Sequence, residues 1–301
     1  MAGLEILQHT LAGPVVFAGV GVHSGQYVRV AIRPAPADSG IVFVRSDLAG
    51  DNRVKVSALS VVRTQLNTEI ASPSGVAVST VEHLLAAFSA LSVDNAVVEL
   101  DASELPIMDG SAAPFIKLID QAGRRAQDAP RRYIEIVEAV EVVDGDKRAA
   151  LVPGSSVRPG LEVDFEIAFA SRAIGRQRIA LRVDETSFRR ELASARTFGF
   201  VHEVEALRAR GLARAGSLEN AVVVDGDRVL NPEGLRFEDE FVRHKALDAV
   251  GDLYVLGAPV LGRFEARYAG HALNNALVRA LVARPQAWRE HIFASEMAQA
   301  V

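Results

Sequence analysis

The feature that most constrains this chain is a set of metal-ligand-type residues divided between two distant parts of the sequence. Glu82 and His83 are adjacent in the first part, whereas His244, Asp248 and His271 lie in the second. Two histidines and one aspartate can hold a zinc ion and leave its fourth position open to water. A neighbouring glutamate can act as a base, and a further histidine can act on the leaving group. The set therefore predicts zinc-assisted hydrolysis by a fold that brings both parts together.

Composition restricts the ligands and the partners of such a site. The 301 residues include no cysteine, so disulfides and thiolate sites are excluded and any metal must be held by histidine and carboxylate. The formal net charge of -5 argues against a general nucleic-acid-binding protein, which needs a basic excess to neutralise phosphates. The first residues do not resemble a signal peptide, and no apolar run approaches the roughly 20 residues that span a bilayer. We expect a cytoplasmic protein without a stable membrane anchor.

The pattern of apolar and polar residues predicts an α+β chain of two similar domains, each a β-sheet layer packed with helices. Strands are predicted at 28–32, 40–45, 96–100, 134–143, 149–152, 161–169 and 221–224. Helical patterns cover 81–91, 113–122, 187–194, 203–210, 237–256 and 272–282. The polar, proline-containing segment at 128–132 predicts a boundary between an N-terminal domain, 1–127, and a C-terminal domain, 128–301. The first domain would carry Glu82 and His83, and the second His244, Asp248 and His271.

The pair His244 and Asp248 also has an ordinary structural explanation. One helical turn separates the two residues, so both side chains project from one face and can reach one ion. Glu240 and Asp252 extend the row by one turn on either side. On an arbitrary helix, such a row is more often a solvated polar stripe opposite an apolar face. The spacing alone is therefore a weak indication of a metal site.

Glu82 and His271 have structural alternatives as well. Ser79 and Glu82 have the spacing of a capping box, in which the glutamate folds back onto the N-cap amide of a helix. His271 opens a predicted helix, whose positive end disfavours an imidazolium unless a carboxylate such as Asp252 compensates. A charged His271 could stabilise an oxyanion and protonate a leaving amine. Alternatively, His271 is a partly buried histidine without a chemical role.

A glycine-rich turn at 19–25 contains another histidine, His23. Glycines in this turn could let the backbone approach a ligand, but a tight hairpin explains them equally well. The turn is not a P-loop, because the Gly-Lys-Ser/Thr ending is absent.

Six segments, taken in order, resemble one family, the zinc-dependent UDP-3-O-acyl-N-acetylglucosamine deacetylases of Gram-negative lipid A synthesis. They are GVGVHSG at 19–25, STVEHLL at 79–85, LPIMDGSAAPF at 105–115, ARTFGF at 195–200, LRFEDEFVRHKALDAVGDL at 235–253 and GHALNNAL at 270–277. Each segment alone is modest evidence for the family, but six segments in the same order are highly specific. Together they run through nearly the whole chain. The resemblance implies two similar α+β domains, each with an inserted subdomain, and it favours a chemical role for the residues above.

The resemblance implies a role in catalysis for seven residues. Three of them, His83, His244 and Asp248, would be the ligands of one catalytic Zn²⁺. The donor set would also accept Fe²⁺. The other four would act on the substrate or on its neighbours: Glu82 as the general base, His271 as the acid, Asp252 as the partner that orients His271, and Thr197 as a hydrogen-bond donor to the oxyanion.

The resemblance also implies how a substrate would bind. The substrate would be a UDP-sugar carrying an acyl chain, and the reaction would release acetate from UDP-3-O-(3-hydroxyacyl)-N-acetylglucosamine, the committed step of lipid A biosynthesis. Lys245 would approach the diphosphate or the sugar, Phe169 would stack on the uracil ring, and Leu66 would lie near the active site. An insert near 199–225 would form an apolar passage for the acyl chain, with Phe198 at its mouth. We expect a monomer.

The sequence departs from the family in two places. Phe169 is followed by Ala-Ser-Arg where many members have a His-Pro pair, and the segment at 63–70 fits the family pattern only in part. Three other functions stay open: a zinc hydrolase acting on another amide such as a peptide, a non-catalytic sugar-nucleotide-binding protein, and a protein with a purely structural metal. A structural site needs a fourth protein ligand, and these motifs contain no obvious one.

Overall fold

The computed structural model describes residues 5–293 and confirms an α+β fold with several sheets and six helices. The elements of the N-terminal half are β1 (Leu7–Leu11), β2 (Val15–Val20), β3 (Tyr27–Pro34), β4 (Ile41–Arg45), β5 (Arg53–Lys55), β6 (Val61–Arg63), β7 (Glu69–Ala71), β8 (Ala77–Val78), α1 (Glu82–Ala90), β9 (Ala96–Leu100), α2 (Ala113–Ala122) and β10 (Arg124–Pro130).

The elements of the C-terminal half follow from β11. They are β11 (Tyr133–Ile136), β12 (Val140–Asp144), β13 (Lys147–Val152), β14 (Leu161–Ala168), β15 (Arg176–Val183), α3 (Glu185–Ser187), β16 (Phe198–Phe200), α4 (Val201–Ala209), β17 (Val222–Asp225), β18 (Arg228–Val229), α5 (Glu240–Tyr254), β19 (Val260–Arg267), α6 (His271–Val282) and β20 (Trp288–His291). A π-helical turn at Phe188–Leu192 continues α3, and a 3₁₀ turn at Pro285–Ala287 precedes β20.

A five-stranded sheet in the order β2-β3-β9-β4-β5 forms the base of the N-terminal half. Alternation along β3 buries Val28, Val30 and Ile32 and leaves the residues between them more exposed. On the helix side, Phe115 of α2 meets Phe17 of β2 edge to face, with ring centroids 5.9 Å apart. The alternation of apolar and polar residues that predicts β3 therefore reflects a sheet with one face turned towards the core.

Strand β19 organises the seven-stranded sheet of the C-terminal half. It pairs antiparallel with β13 and parallel with β14, and its first two residues pair parallel with β11. Phe264 of β19 packs against Phe165 of β14, and both side chains are buried. The sequence analysis does not predict this central strand, although apolar residues alternate with charged ones along its second half.

Two small three-stranded sheets, β6-β7-β8 and β16-β17-β18, accompany the main sheets. In the second, β16 and β17 pair in parallel and α4 lies between them in the chain. The insert predicted near 199–225 therefore begins within β16 and ends with β17. Its assignment as the wall of an acyl passage stays a prediction.

The segment predicted as an interdomain connection is partly a strand. Residues 124–130 form β10, which pairs antiparallel with β1, so the polar composition of this segment does not make it a free linker. Pro130 is tolerated because β10 is an edge strand, paired only with β1 in a two-stranded sheet of the described chain. The division into 1–127 and 128–301 stays a prediction, and residues 1–4 and 294–301 lie outside the described part of the chain.

The long helical predictions near the candidate site agree with α1, α5 and α6 to within a few residues. The helix predicted at 187–194 is instead the short α3 followed by the π-helical turn. Across residues 5–293, no helix is both long enough and apolar enough to cross a membrane.

Candidate active site

A close crossing of α1 and α5 brings the two distant parts of the sequence together. Gly251 lies at the contact, where an added Cβ would stand 2.0 Å from the carbonyl oxygen of Glu82 and 3.1 Å from the amide nitrogen of Ala86. Only glycine lets the two backbones approach this closely. The first residues of α1 therefore pack against α5, the helix that carries His244 and Asp248.

His83, His244 and Asp248 form a buried group whose ligand atoms all lie within 4.8 Å of one another. Oδ1 of Asp248 lies 3.5 Å from Nε2 of His83 and 3.3 Å from Nε2 of His244. Donor atoms about 2.0–2.2 Å from a tetrahedral ion stand roughly 3.3–3.5 Å apart, so the observed separations fit one shared ion.

Oδ1 of Asp248 has no hydrogen-bond partner among the described residues although it is buried. An unpaired buried carboxylate oxygen is costly unless something compensates it, and a cation between Oδ1 and the two imidazole nitrogens would do so. The group could therefore hold a metal ion. The alternative of a solvated polar stripe on α5 is wrong, because Glu240, His244, Asp248 and Asp252 are all buried.

The protonation states of the group suit metal binding. Burial lowers the pKa of His244 to about 3, so its imidazole is neutral. Nδ1 of His244 lies 3.0 Å from the carbonyl oxygen of Ala195, to which it donates, and Nε2 is left as the free lone pair. Burial raises the pKa of Asp248, but nearby His244, Lys245 and His271 outweigh it and hold the pKa well below its usual value. Asp248 is therefore an ionised ligand.

Glu82 is the first residue of α1, and its side chain does not cap the helix. The N-cap position is Val81 and makes no side-chain capping bond, so the capping-box alternative is wrong. Instead, the amide of Thr68 donates to Oε2 of Glu82 over 3.0 Å. Burial raises the pKa of Glu82, an effect that the neighbouring histidines His271 and His83 partly oppose. A carboxylate with a raised pKa beside a metal-ligand group is suited to act as a base.

His271 opens α6 and is held by a carboxylate on α5. Its Nδ1 lies 2.9 Å from Oδ2 of Asp252, which also accepts a hydrogen bond from Asn274. The hydroxyl of Thr68 donates to the other oxygen of Asp252 over 2.6 Å. Burial lowers the pKa of His271, but Asp252 and Asp248 together raise it to about 9. The compensation by Asp252 expected from sequence is therefore present in the structure.

A cavity of about 850 Å³ opens above the metal-ligand group. All the candidate residues line it except Asp252, which lies behind His271. Residues of the predicted insert supply much of its apolar wall, namely Phe200, Val204, Leu207, Ala213, Ala221 and Val223. The cavity is therefore large and largely apolar, with ionisable groups gathered beside the metal-ligand group, as expected of a site for a ligand with an apolar part.

The residues predicted to contact substrate share this cavity. Lys245 donates to Oδ2 of Asp248 over 2.9 Å, and its Nζ lies 5.6 Å from the ring centroid of Phe198. The rings of Phe169 and Phe198 meet edge to face at 5.6 Å. Leu66 is about half exposed and has a positive φ of 66°. Their substrate roles stay predictions, and Lys245 has Asp248 as its partner in this structure.

Two features of the site were not recognised from sequence. His23 lines the cavity, and its Nδ1 accepts from the amide of Ala213 over 3.3 Å, so the glycine-rich turn contacts the predicted insert. Arg196 and Glu240 form a buried ion pair beside Thr197. Arg196 lies within the ARTFGF segment, and Glu240 is the first residue of the row on α5. Both residues therefore belong to recognised motifs, but the sequence assigns neither of them a role.

Comparisons with known proteins point to one family. A sequence model of the LpxC family, described as UDP-3-O-acyl N-acetylglycosamine deacetylase, matches residues 8–283. A UDP-3-O-acyl-N-acetylglucosamine deacetylase of Phenylobacterium zucineum is 66% identical over 297 residues, which cover 98% of this chain and 100% of the relative. Proteins of the same name from a Shewanella species and from Acidithiobacillus ferrooxidans are each 49% identical, over 97% and 94% of this chain and 94% and 92% of the relatives, respectively.

Proposed function

The chain belongs to the UDP-3-O-acyl N-acetylglycosamine deacetylase family, and on that basis we propose a zinc-dependent reaction on one substrate. The protein is an amide hydrolase of lipid A biosynthesis. The proposed reaction hydrolyses the N-acetyl group of UDP-3-O-(3-hydroxyacyl)-N-acetylglucosamine to give a free amine and acetate, as the committed step of that pathway. One observation carries the metal dependence: Oδ1 of Asp248 is buried, unpaired among the described residues and close to two imidazole nitrogens.

His83, His244 and Asp248 are the proposed ligands of one metal ion. When bound there, zinc would supply Lewis-acid chemistry by acidifying water and polarising a carbonyl group. The two imidazoles and the carboxylate also suit iron(II), so the choice of zinc is part of the proposal.

Glu82 is the proposed general base. The amide of Thr68 holds one of its carboxylate oxygens, which fixes the direction of the side chain. Because burial raises its pKa, this carboxylate accepts a proton from water more readily than an exposed glutamate does. In the proposed reaction, Glu82 takes the proton of the attacking water.

His271 and Thr197 are the proposed partners of the departing and developing groups. His271 carries a proton at neutral pH because its pKa is raised to about 9, so it can deliver that proton to the leaving nitrogen. Asp252 holds Nδ1 of His271, which leaves Nε2 as the atom that faces the reaction. Thr197 lines the same cavity, where its hydroxyl can donate to the oxyanion.

The cavity supports an acylated substrate. Its wall is largely apolar where the predicted insert lies, so burial of a hydrocarbon chain there is favourable. We propose that Phe198 marks the entrance of this passage, that Phe169 stacks on the uracil ring, and that Lys245 and Leu66 contact the substrate near the reacting group. Binding energy from these remote parts would support the chemical step.

A substrate panel tests this proposal. Acetate release is measured on UDP-3-O-(3-hydroxymyristoyl)-N-acetylglucosamine, on UDP-N-acetylglucosamine and on an N-acetylated peptide. We expect kcat/KM for the acylated UDP-sugar to exceed both others by at least about 10², because the truncated ligands lose remote binding energy. Comparable rates on the peptide would support a general amidase instead, and no release from the acylated UDP-sugar would contradict the proposal.

We also propose that the protein acts as a monomer in the cytoplasm. Both points rest on the sequence, and light scattering of the purified protein tests the first. A dimer mass at micromolar concentration would contradict it.

A further inference from the structure

Helix α5 carries four buried side chains in one row, and the proposed chemistry uses only three of them. Glu240, His244, Asp248 and Asp252 follow at intervals of one helical turn and are 0–3% exposed. His244 and Asp248 belong to the metal-ligand group, and Asp252 holds His271. Within the described residues, the side chain of Glu240 makes no hydrogen bond to the other three, so its burial requires a separate explanation.

Glu240 is bound to a guanidinium and to two backbone amides. Its Oε1 accepts from the amide of Arg196 and from Nε of the same residue, each over 2.9 Å. Its Oε2 accepts from the amide of Arg236 over 2.6 Å and from Nη2 of Arg196 over 3.2 Å. Arg196 is itself 2% exposed and also donates to the carbonyl oxygen of Gly234. Glu240 therefore fixes both the backbone and the side chain of Arg196.

The residues on either side of Arg196 reach the catalytic centre. The carbonyl oxygen of Ala195 accepts from Nδ1 of His244, the contact that turns Nε2 towards the metal-ligand group. The amide of Thr197 donates to the carbonyl oxygen of Gly110 over 2.8 Å, and the Thr197 side chain lines the cavity. Glu240, at the start of α5, thus holds the segment at 195–197. That segment in turn orients His244, which lies one turn further along the same helix.

Stability alone is a weak explanation for this ion pair. Removing two charges from water is expensive, and apolar residues of similar volume often replace a buried pair at no cost in stability. A pair with fully satisfied hydrogen bonds does, however, select one arrangement of the groups it joins. Here the groups it joins are the start of α5 and the loop at 195–197, which precedes β16 and lies beside the metal-ligand group.

We propose that Glu240, acting through Arg196, is a positioning residue for the catalytic centre. It holds the segment at 195–197 so that the Ala195 carbonyl orients His244 and Thr197 faces the cavity. This inference deepens the proposed function and rests on it. It assigns Glu240 no contact with substrate.

The test compares two substitutions in the pair with one matched control. Glu240→Gln keeps the shape of the side chain but removes its charge, and Arg196→Lys keeps the charge but removes the planar fork. Glu233→Gln is the control, because Glu233 binds the same guanidinium but is exposed. Unlike Glu240, Glu233 accepts no hydrogen bond from the backbone of the segment at 195–197 within the described part of the chain. For each folded protein, the zinc dissociation constant is measured by competition with a chromophoric chelator, and kcat and KM are measured on the acylated UDP-sugar.

We expect Glu240→Gln and Arg196→Lys to weaken zinc binding by about 10–100-fold, the usual effect of losing a group that orients a metal ligand. We expect kcat to fall while KM changes less, and Glu233→Gln to stay within about twofold of the wild type. Zinc affinity and kcat within twofold of the wild type in either folded variant of the pair would overturn the inference, as would equal losses in Glu233→Gln.

Zinc affinity separates this inference from the proposed function, since it requires no substrate. A wild-type protein that binds zinc but releases no acetate would contradict the proposed substrate. The role of Glu240 would then be decided by the zinc dissociation constants of the variants relative to that of the wild type. A wild-type protein without zinc affinity would contradict both. Should neither Glu240→Gln nor Arg196→Lys fold, the pair would be needed for folding itself, and the positioning role would be rejected.

Discussion

Nδ1 of His271 lies 2.9 Å from Oδ2 of Asp252, and this contact joins the start of α6 to the last turn of α5. A buried histidine at the positive end of a helix would ordinarily be neutral. Burial lowers the pKa of His271, but Asp252 and Asp248 outweigh burial and raise it to about 9. Oδ2 of Asp248 lies 3.8 Å from Nε2 of His271. The proposed acid is therefore charged at neutral pH because of its carboxylate neighbours.

Asp252→Asn is expected to move the alkaline limb of the pH–rate profile to lower pH. The proposed reaction requires protonated His271, so the rate should fall as pH rises through the raised pKa of His271. Asp252 is the largest of the effects that raise this pKa against burial, so removing its charge should lower the pKa of His271. Activity should then be lost at a lower pH on the alkaline side. The measurement is kcat against pH for both proteins.

Thr68→Val is the matched control for this experiment. It removes a hydrogen bond to the same Asp252 carboxylate but leaves the carboxylate charge in place. Its alkaline limb should not move to lower pH. If Asp252→Asn left the alkaline limb of the pH–rate profile unchanged, that limb would not report the loss of the His271 proton. The proposed roles of His271 and Asp252 would then be wrong.

Glu82→Gln should reduce kcat by about 10² or more, because the amide cannot take a proton from water. The Thr68 amide can still donate to the new side-chain carbonyl, so the fold and the zinc affinity should be retained. Glu238→Gln, at an exposed position just before α5, serves as the control. Activity near that of the wild type in a folded, zinc-loaded Glu82→Gln protein would exclude Glu82 as the base.

Gly251→Ala should lower both the melting temperature and kcat. Alanine is the better helix former by about 1 kcal/mol, but its Cβ would lie 2.0 Å from the Glu82 carbonyl oxygen. The overlap forces the helices apart, at a cost of about 1–3 kcal/mol or more that outweighs the helix preference. Thermal unfolding and kcat measure the two effects.

Gly13→Ala is the control for the helix crossing. An added Cβ there would meet its nearest neighbour, the Ala122 carbonyl oxygen, at 3.9 Å, which is an ordinary contact. This variant should match the wild type in stability and rate. Equal behaviour of the two alanine variants would mean that the close approach of α1 and α5 is not needed.

The residues that meet at the candidate site could be predicted from sequence because they stand in dense local motifs. His83 and Glu82 share one motif, and His244 and Asp248 share another. The motifs do not encode how the two meet, since that depends on Gly251, a glycine whose role becomes visible only when a neighbouring backbone is present. The main helices and many strands were predicted for a similar reason, as their patterns are local.

Other parts could not be predicted because their causes are long-range. Thr68 contacts Glu82 and Asp252, yet no local pattern marks it. Glu240 resembled part of a solvated stripe, because α5 is buried on nearly all sides and periodicity cannot show which face is covered. The polar segment at 128–132 predicts a linker, but its first residues form the end of β10. The sequence does not reveal this strand, because its partner β1 lies far away, at the start of the N-terminal half.

The most direct test of the account is acetate release from UDP-3-O-(3-hydroxymyristoyl)-N-acetylglucosamine by one protein sample in three states. The sample is assayed as purified, after removal of metal by a chelator, and after stoichiometric zinc is restored. We predict that activity disappears with the chelator and returns with zinc, because His83, His244 and Asp248 lose and regain the ion they hold. Full activity in the verified metal-free protein would contradict the central claim that these three residues form the catalytic metal site.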